Sequence, residues 1–269
     1  MIVLNETEWA EEKIKSNELG DNTYETLCRV AKYYISNGYT KEYTERILGR
    51  FLIQSDPNIV LVRWGDAIQN AVKYAIKNPP IFIESIKVTK GEMNFIDSID
   101  STQARRLAFT LLCIAKYYDA VREVNNHWVC TKDSVVMSMA NIKTSMKRQC
   151  ALFRKLKDLG FLEFAKKVDN TNTRISFLDI DIEDSEVVCE VTDFRNLGYQ
   201  YLMYKGGSFY KCENCGLVTK VESKKKSNRL KFCKECAVKI AVRQRVNSVM
   251  KRRQRDKDNL MTSVSKSAL

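Results

Sequence analysis

Four cysteines near the end of the chain have a spacing that is typical of metal ligands. Cys212 and Cys215 form one CxxC pair, Cys233 and Cys236 form a second, and 17 residues separate the pairs. Each pair can place two thiolates on one side of an ion, so the four can complete a tetrahedron around Zn²⁺. Four thiolates leave no open coordination position, which predicts a structural zinc. A redox dithiol or a chance spacing is the alternative.

The other five cysteines are scattered along the chain. Three of them lie in helical apolar patterns and are predicted to be core residues: Cys28, Cys113 and Cys150. In a cytosolic protein, paired CxxC spacing favours metal binding over disulfides. The single histidine, His127, is far from the pairs in sequence and receives no role.

Positive charge is concentrated in the same part of the chain as the cysteine pairs. The net charge is +12; residues 1–210 hold 28 basic and 28 acidic residues, whereas residues 211–269 hold 17 basic and 5 acidic. Four thiolates and one Zn²⁺ would leave the last segment at about +10. Such an excess favours a polyanionic partner. A solubilising tail is the alternative.

The segment AVKIAVRQRVNSVMKRRQR, after the second pair, predicts a basic amphipathic helix. Its apolar stripe, which can pack on the ribbon or on another chain, is Val238, Val242, Val246 and Val249. Basic residues predicted to contact phosphate lie in this helix and in the KKKSNR run before it: Lys224, Lys225, Lys226, Arg229, Arg243, Arg245, Lys251, Arg252, Arg253 and Arg255. A membrane surface is a weaker alternative, because the stripe holds only Val and Met.

The central segment predicts a winged helix-turn-helix. The segment TKDSVVMSMAN predicts a short helix that is capped by Thr131 or Asp133. The segment IKTSMKRQCALFRKLKDLG predicts a second helix that is capped by Thr144 or Ser145 and ends at Gly160. FLEFAKKVDNTNTRISFLDI follows as two alternating strands around the turn DNTN. The predicted apolar face of the second helix is Met146, Cys150, Phe153, Leu156 and Leu159.

The composition of this segment favours contact with DNA. Residues 131–178 carry ten bases and four acids. Candidate nucleic-acid contacts on the second helix are Lys143, Ser145, Lys147, Arg148 and Gln149, and those on the wing are Lys166, Lys167 and Arg174. A winged helix used only for protein interaction or packing is the alternative.

The first 79 residues predict a helical bundle. Residues 5–78 show helical apolar spacing, with Thr40 as one N-cap, and Pro79-Pro80 marks a boundary. IFIESIKVTKGE then predicts a short strand, and STQARRLAFTLLCIAKYYDAV a helix capped by Ser101 or Thr102.

Catalytic chemistry is not supported by any sequence motif. Residues 179–193 carry seven acids and no base, and four of them have ligand chemistry for Mg²⁺: Asp179, Asp181, Glu183 and Asp184. Nothing in the sequence places these around an ion, and a solvated strand edge or a screen for the basic tail explains them. No Ser/His/Asp set, phosphate-binding glycine loop or HExxH occurs. We therefore expect a binding protein and no enzyme.

The sequence favours a cytoplasmic location. Residues 1–20 lack the apolar core of a secretory signal, and uncharged runs such as 107–115 fall far short of the roughly 20 residues of a membrane span. We therefore expect a soluble protein without a membrane partner.

Two resemblances add to this interpretation. The segment from TYETLCRVAKYYISNGYTKEYTERILGRF to VRWGDAIQNAVKYAIKNPP resembles the small helical modules of phage and plasmid replication or primase-associated proteins. The whole layout, with DFRNLGYQYLMYKGG before YKCENCG and KFCKEC, is similar to uncharacterised prophage-type proteins of low-GC Gram-positive bacteria. These imply a mobile-element protein in a bacterial host cell. No primase catalytic motif occurs, so polymerising activity is not implied.

We therefore predict a mainly α protein that binds nucleic acid. The predicted parts are a helical bundle (1–79), a winged helix-turn-helix (80–182), an acidic and aromatic connector (183–210), a zinc ribbon with a basic helix (211–257) and a flexible tail (258–269). The predicted function is replication or transcription control on duplex DNA. The alternatives are a protein that binds RNA or the ribosome and a protein-interaction adaptor. The helical bundle is a candidate site for a protein partner.

Overall fold

The protein is mainly helical. The computed structural model describes residues 2–166, 172–177, 186–221 and 231–266, with the backbone alone at 254 and 256–266. Within these residues the chain forms ten α-helices and seven short strands. The strands pair into three small antiparallel sheets.

The first part of the chain forms a helical bundle, as predicted. Its helices are α1 (Glu6–Ser16), α2 (Thr23–Ser36), α3 (Lys41–Ser55) and α4 (Gly65–Lys77), with a 3₁₀ turn at Leu61–Trp64. The side chain of Thr40 accepts a hydrogen bond from the backbone N–H of Tyr43, which confirms the predicted cap of α3. The bundle core includes Leu27, Leu48, Leu52 and Val72.

A buried ion cluster ties the bundle to the chain that follows it. Glu6 is buried, and it pairs with Arg29 at 3.2 Å and with Lys32 at 2.8 Å. Its carboxylate also accepts a hydrogen bond from the backbone N–H of Ile81 at 3.0 Å. The chain after Pro80 therefore runs back beside the start of α1. The predicted domain limits stay a prediction.

A second, larger core follows the bundle. Its elements are β1 (Ile86–Thr89), α5 (Lys90–Asp97), α6 (Thr102–Arg122), β2 (Trp128–Val129), α7 (Asp133–Met139), α8 (Met146–Asp158), β3 (Leu162–Phe164), β4 (Thr173–Ile175), β5 (Val187–Val191) and α9 (Leu197–Tyr204). The side chain of Ser101 caps α6, and the middle of this helix is buried. Helix α6 is the centre of this core, and the elements packed against it are β1, β2, β4, α5, α7, α8 and α9. Strand order is β1–β5 in one sheet and β2–β4–β3 in the other.

The last part of the chain joins a small hairpin to a long helix. Strands β6 (Phe209–Lys211) and β7 (Val218–Lys220) pair in antiparallel fashion, and α10 spans Lys234–Lys266. At about 1.5 Å per residue, these 33 residues make a helix about 50 Å long. One pair of cysteines, Cys212 and Cys215, lies in the turn between these strands, and the other, Cys233 and Cys236, lies at the start of α10.

Several local predictions differ from the structure. The predicted strand at 81–92 is shorter, because only Ile86–Thr89 is a strand and Thr89 opens α5 with a capping box to Glu92. At α7, neither Thr131 nor Asp133 is the N-cap, since Lys132 takes that position without a side-chain hydrogen bond. Ser145 is at the N-cap position of α8, likewise without such a bond.

The predicted apolar face of α8 is also partly wrong. The buried residues are Leu152, Phe153 and Leu156, whereas Met146, Cys150 and Leu159 are exposed. Met146 and Leu159 lie at the two ends of the helix, away from the central turns that meet the core, and Cys150 lies off the face that Leu152, Phe153 and Leu156 present to it. Cys150 is therefore no core residue, while Cys28 and Cys113 are buried as predicted.

Candidate metal centre and nucleic-acid surface

The four CxxC cysteines come together in the fold. The sulfur atoms of Cys212, Cys215, Cys233 and Cys236 all lie within 4.8 Å of one another, and those of Cys215 and Cys233 are 3.7 Å apart. In a tetrahedral site with metal–sulfur bonds of about 2.3 Å, adjacent sulfur atoms are about 3.8 Å apart. The cluster is therefore compatible with a structural metal site.

The hairpin supplies the first pair of cysteines through a tight turn. Cys212 directly follows β6, and Gly216 adopts a left-handed conformation with φ of 72°. This conformation lets the N–H of Gly216 donate to the carbonyl of Cys212 at 2.9 Å, while the N–H of Cys212 donates to the carbonyl of Leu217 at 3.0 Å. A glycine tolerates this backbone at little cost, which explains its place directly after the pair.

The start of α10 supplies the second pair. Cys233 directly precedes the helix and Cys236 lies in its first turn, where the helix dipole favours negative charge. Backbone N–H groups donate to sulfur: that of Cys233 to Cys212 at 3.3 Å and that of Cys236 to Cys233 at 3.5 Å. The side-chain amide of Asn214 donates to the sulfur of Cys236 at 3.3 Å. These donors offset the negative charge that four thiolates would bring together.

The metal-free thiols have unequal proton affinities. Burial raises the pKa of Cys215. Burial also acts on Cys212, but backbone N–H donors from Cys233, Cys215 and Asn214 outweigh it and lower the pKa of Cys212. Cys212 is therefore the thiol most readily ionised in this pair, and metal binding would displace the protons from the others.

Among the described residues, the four-cysteine cluster has a very small hydrophobic core. Cys212, Cys233 and Cys236 are buried, and the hydrophobic side chains packed around them are Cys215, Leu217 and Phe232. So little apolar area cannot offset the entropy of ordering the loops around it. A bound metal would supply the missing stabilisation.

The candidate contacts on α8 form an exposed basic surface at the start of the helix. Lys143, Ser145, Lys147 and Arg148 are exposed. Gln149 is half-buried, and its amide donates to the carbonyl of Thr144 at 3.1 Å, which closes the first turn. The four exposed side chains are therefore accessible to a ligand, whereas Gln149 has a local structural role.

The candidate contacts on the β3–β4 hairpin are only partly described. Lys166 is exposed. Arg174 is exposed too, lies 3.8 Å from a carboxylate oxygen of Glu163, and donates to the carbonyl of Asn126 at 3.2 Å. Further predicted residues lie outside the described part of the chain: Lys167, Lys224, Lys225, Lys226, Arg229, and the acids Asp179, Asp181, Glu183 and Asp184.

Helix α10 presents basic side chains on an exposed surface. Those predicted to contact phosphate are all exposed: Arg243, Arg245, Lys251, Arg252, Arg253 and Arg255. The apolar stripe is exposed as well, since Val238 is 63% exposed and Val242, Val246 and Val249 are each 50–53% exposed. The stripe thus does not pack on the described part of the ribbon, and its pairing with another chain stays a prediction.

His127 has a structural role. Its Nδ1 lies 2.6 Å from a carboxylate oxygen of Asp119, and the other oxygen of Asp119 accepts the backbone N–H groups of Asn126 and His127. His127 has a φ of 60°. The pair closes the loop between α6 and β2.

Sequence reasoning missed the residues that attach the metal centre to the larger core. The guanidinium of Arg195 donates to the carbonyl of Cys215, and the amide of Asn196 donates to the carbonyl of Val218 at 3.0 Å. Asn196 in turn accepts a hydrogen bond from Asn141, 55 residues earlier in the chain. The available sequence signal was the preference of asparagine for left-handed positions at helix ends.

No protein-family model matches the chain, and neither the curated proteins nor the solved structures include a significantly similar one. Among the helices of the described residues, none combines the length and apolar character needed to cross a bilayer.

Proposed function

We propose that the protein is a zinc-containing DNA-binding protein that contacts duplex DNA with α8 and clamps nearby phosphates with α10. The observation that carries this proposal is the pair of exposed basic surfaces, at the start of α8 and along α10, beside a four-cysteine cluster. The setting is replication or transcription in a phage or mobile element within a bacterial host cell. The sequence resemblance alone supports that setting.

Ligand chemistry supports zinc as the metal. Four thiolates in a tetrahedral arrangement favour zinc, since a d¹⁰ ion has no competing geometric preference. Four protein ligands would fill the site, so the ion would have a structural role and would hold the hairpin against the first turn of α10.

The element order of the larger core supports a winged helix-turn-helix. Helix α6 precedes β2, α7 and α8 follow, and β3 and β4 form a hairpin, with β4 between the other two strands. In such a module the second helix of the turn lies in the major groove and the hairpin lies beside the backbone. Four exposed polar or basic residues at the start of α8 suit that position: Lys143, Ser145, Lys147 and Arg148.

The two surfaces have different expected roles. Residues at the start of α8 are placed to meet base edges, which carry sequence information, whereas the arginines of α10 supply phosphate contacts that carry none. Together the two would give affinity from α10 and sequence preference from α8.

The decisive experiment compares nucleic acids and variants by fluorescence anisotropy. Full-length protein is titrated onto duplex DNA, single-stranded DNA and RNA over a salt series. The double variant Lys147→Ala/Arg148→Ala tests α8, and Arg63→Ala/Lys77→Ala, which removes two exposed charges from the bundle, is its control.

Preferential duplex binding that weakens in the α8 variant and persists in the control supports the proposal. Stronger binding of RNA or single strands, unaffected by the α8 variant, favours an RNA-binding protein in which the winged helix only packs. Absence of binding to all three nucleic acids contradicts the proposal and favours a protein adaptor.

A further inference from the structure

Two asparagines join the turn before α8 to the entry of α9. Asn141 follows α7 and Asn196 precedes α9, and each has a φ of 55°. The amide nitrogen of Asn141 donates to the amide oxygen of Asn196 at 2.8 Å. The amide oxygen of Asn141 accepts the backbone N–H of Tyr199 at 3.0 Å, so one side chain contacts both the N-cap and the first turn of α9.

The same asparagines extend the link in both directions. On one side, the guanidinium of Arg106 in α6 donates to the carbonyl of Asn141 at 3.2 Å. On the other side, the amide nitrogen of Asn196 donates to the carbonyl of Val218 at 3.0 Å, in strand β7. A chain of hydrogen bonds therefore runs from α6, through the α7–α8 turn, to the hairpin that holds the first pair of cysteines.

Arg195 adds a second link to the metal centre. Its guanidinium forms a two-pronged ion pair with Asp193: Nε donates to Oδ1 at 3.0 Å and Nη2 donates to Oδ2 at 2.6 Å. The Nη2 group also donates to the carbonyl of Cys215. An arginine is always charged in proteins, and the ion pair with Asp193 holds the planar guanidinium in place. The backbone of a cysteine ligand is thus tied to the residue next to Asn196.

Helix α9 is well placed to transmit this contact. Leu197 and Tyr201 are fully buried in the larger core, and the ring of Tyr201 lies 5.6 Å from that of Phe109 in α6. On the side of the hairpin, the rings of Tyr199 and Phe209 are 5.1 Å apart. The junction is packed on both sides, which distinguishes it from a flexible tether.

We infer that Asn196 and Arg195 are positioning residues that fix the four-cysteine centre against the α7–α8 turn, so that metal binding sets the order of that turn and of α8. The contacts themselves do not depend on the proposed function, but the consequence for DNA binding rests on it. The metal centre and α8 then bind DNA as one rigid unit, with a fixed distance between their contacts along the duplex.

The test uses full-length protein and the variant Asn196→Gly. Glycine accepts the left-handed backbone of position 196, so the substitution removes the side-chain hydrogen bonds with little backbone strain. Asn17→Gly is the matched control, because Asn17 also has a left-handed φ of 51° but caps α1 in the bundle. Arg195→Lys is a second variant, which keeps the positive charge but lacks the planar guanidinium that contacts Asp193 through two nitrogen atoms.

Two readouts do not involve nucleic acid. The first is the rate of zinc release to a chromogenic chelator, which we expect to rise about tenfold in Asn196→Gly and in Arg195→Lys, the scale typical of residues that orient metal ligands. The second is hydrogen exchange at the N–H groups of Asn141 and Ile142, which lie in the α7–α8 turn and donate to carbonyls in the last turn of α7. We expect faster exchange in Asn196→Gly and, equally, in the wild-type protein after zinc removal.

The third readout is duplex affinity, which we expect to fall in Asn196→Gly and to stay unchanged in Asn17→Gly. Unchanged zinc release and unchanged exchange at the turn would overturn the inference. Faster zinc release without faster exchange at the turn would overturn it too, because the metal centre would then be uncoupled from α8. If the wild-type protein binds no duplex, the proposed function fails, and the first two readouts still decide whether the junction couples the two sites.

Discussion

Gly198, in the first turn of α9, lies directly against the backbone carbonyl of Ala140 at the end of α7. A Cβ atom built on Gly198 would be 2.0 Å from the carbonyl oxygen of Ala140. No side chain fits there without moving one backbone segment away from the other. The close approach explains how Asn141 and Asn196, on either side of this contact, reach hydrogen-bond distance.

We expect Gly198→Ala to destabilise the protein by about 3 kcal/mol, at the upper end of the cost of overpacking, because the clash is with backbone. The measurement is the free energy of unfolding in denaturant. Gly65→Ala is the control: Gly65 begins α4 with an ordinary helical backbone, and a Cβ atom added to it would meet no other atom within 4 Å. That change should be neutral or stabilising. Equal effects of the two substitutions would contradict the close packing of α9 on α7.

A buried ion pair stabilises the larger core. Lys116 of α6 lies 2.6 Å from Glu92 of α5, both side chains are buried, and Lys116 also donates to the carbonyl of Lys87. We expect Lys116→Met to destabilise the protein by about 3 kcal/mol, since it leaves a buried carboxylate without its cation. The measurement is again denaturant unfolding.

Two further variants test that reasoning. The double variant Lys116→Met/Glu92→Gln should recover part of the loss, because a neutral amide retains the capping role of Glu92 without a buried charge. Lys90→Met removes an exposed partner of Glu186 and should leave the unfolding free energy unchanged. If the double variant were less stable than Lys116→Met alone, the buried charge would not be the cause.

The arginines of α10 should contribute affinity without sequence preference. Arg252 and Arg253 are exposed near the middle of the helix. If each neutralises one phosphate, Arg252→Ala/Arg253→Ala should lower the slope of log affinity against log salt by about 2, equally for all duplex sequences. Anisotropy titrations over a salt series measure this slope. A change confined to one DNA sequence would contradict a pure phosphate role.

The sequence predicted the local parts of the fold that depend on neighbouring residues. The cap at Thr40 and the four-cysteine cluster were both predicted from short-range patterns, and the structure confirms them. Gly160, which has a φ of 78°, lies just after the end of α8, as expected.

Long-range pairing could not be predicted in the same way. Strand β1 pairs with β5 so that Ile86 lies opposite Val191, and the intervening segment contains most of the larger core. Strand β2 has only two residues, too few for an alternating pattern. The bond between Asn141 and Asn196 likewise depends on how α7 and α9 pack, which no local pattern contains.

Metal binding should weaken as the pH falls. Four thiols must lose their protons before they can coordinate a metal, and burial raises the pKa of Cys215, so protons compete more strongly in acidic buffer. We expect the affinity for zinc to decrease steadily from mildly alkaline to mildly acidic buffer, as measured by competition with a chelator.

Removal of the metal should unfold the region around the cysteines and loosen the α7–α8 turn linked to it, and it should leave the helical bundle folded. The hairpin β6–β7 and the first turn of α10 have a small core of their own, whereas the helical bundle has a separate one that includes Leu27 and Leu48. Chelation should therefore accelerate hydrogen exchange in the hairpin, while exchange in the bundle stays slow. Cys236→Ser, which removes one ligand, should resemble the chelated protein, and Cys150→Ser, an exposed cysteine outside the cluster, should resemble the wild type. If chelation left exchange in the hairpin unchanged, the four cysteines would not hold a structural metal, and their proximity would reflect packing alone.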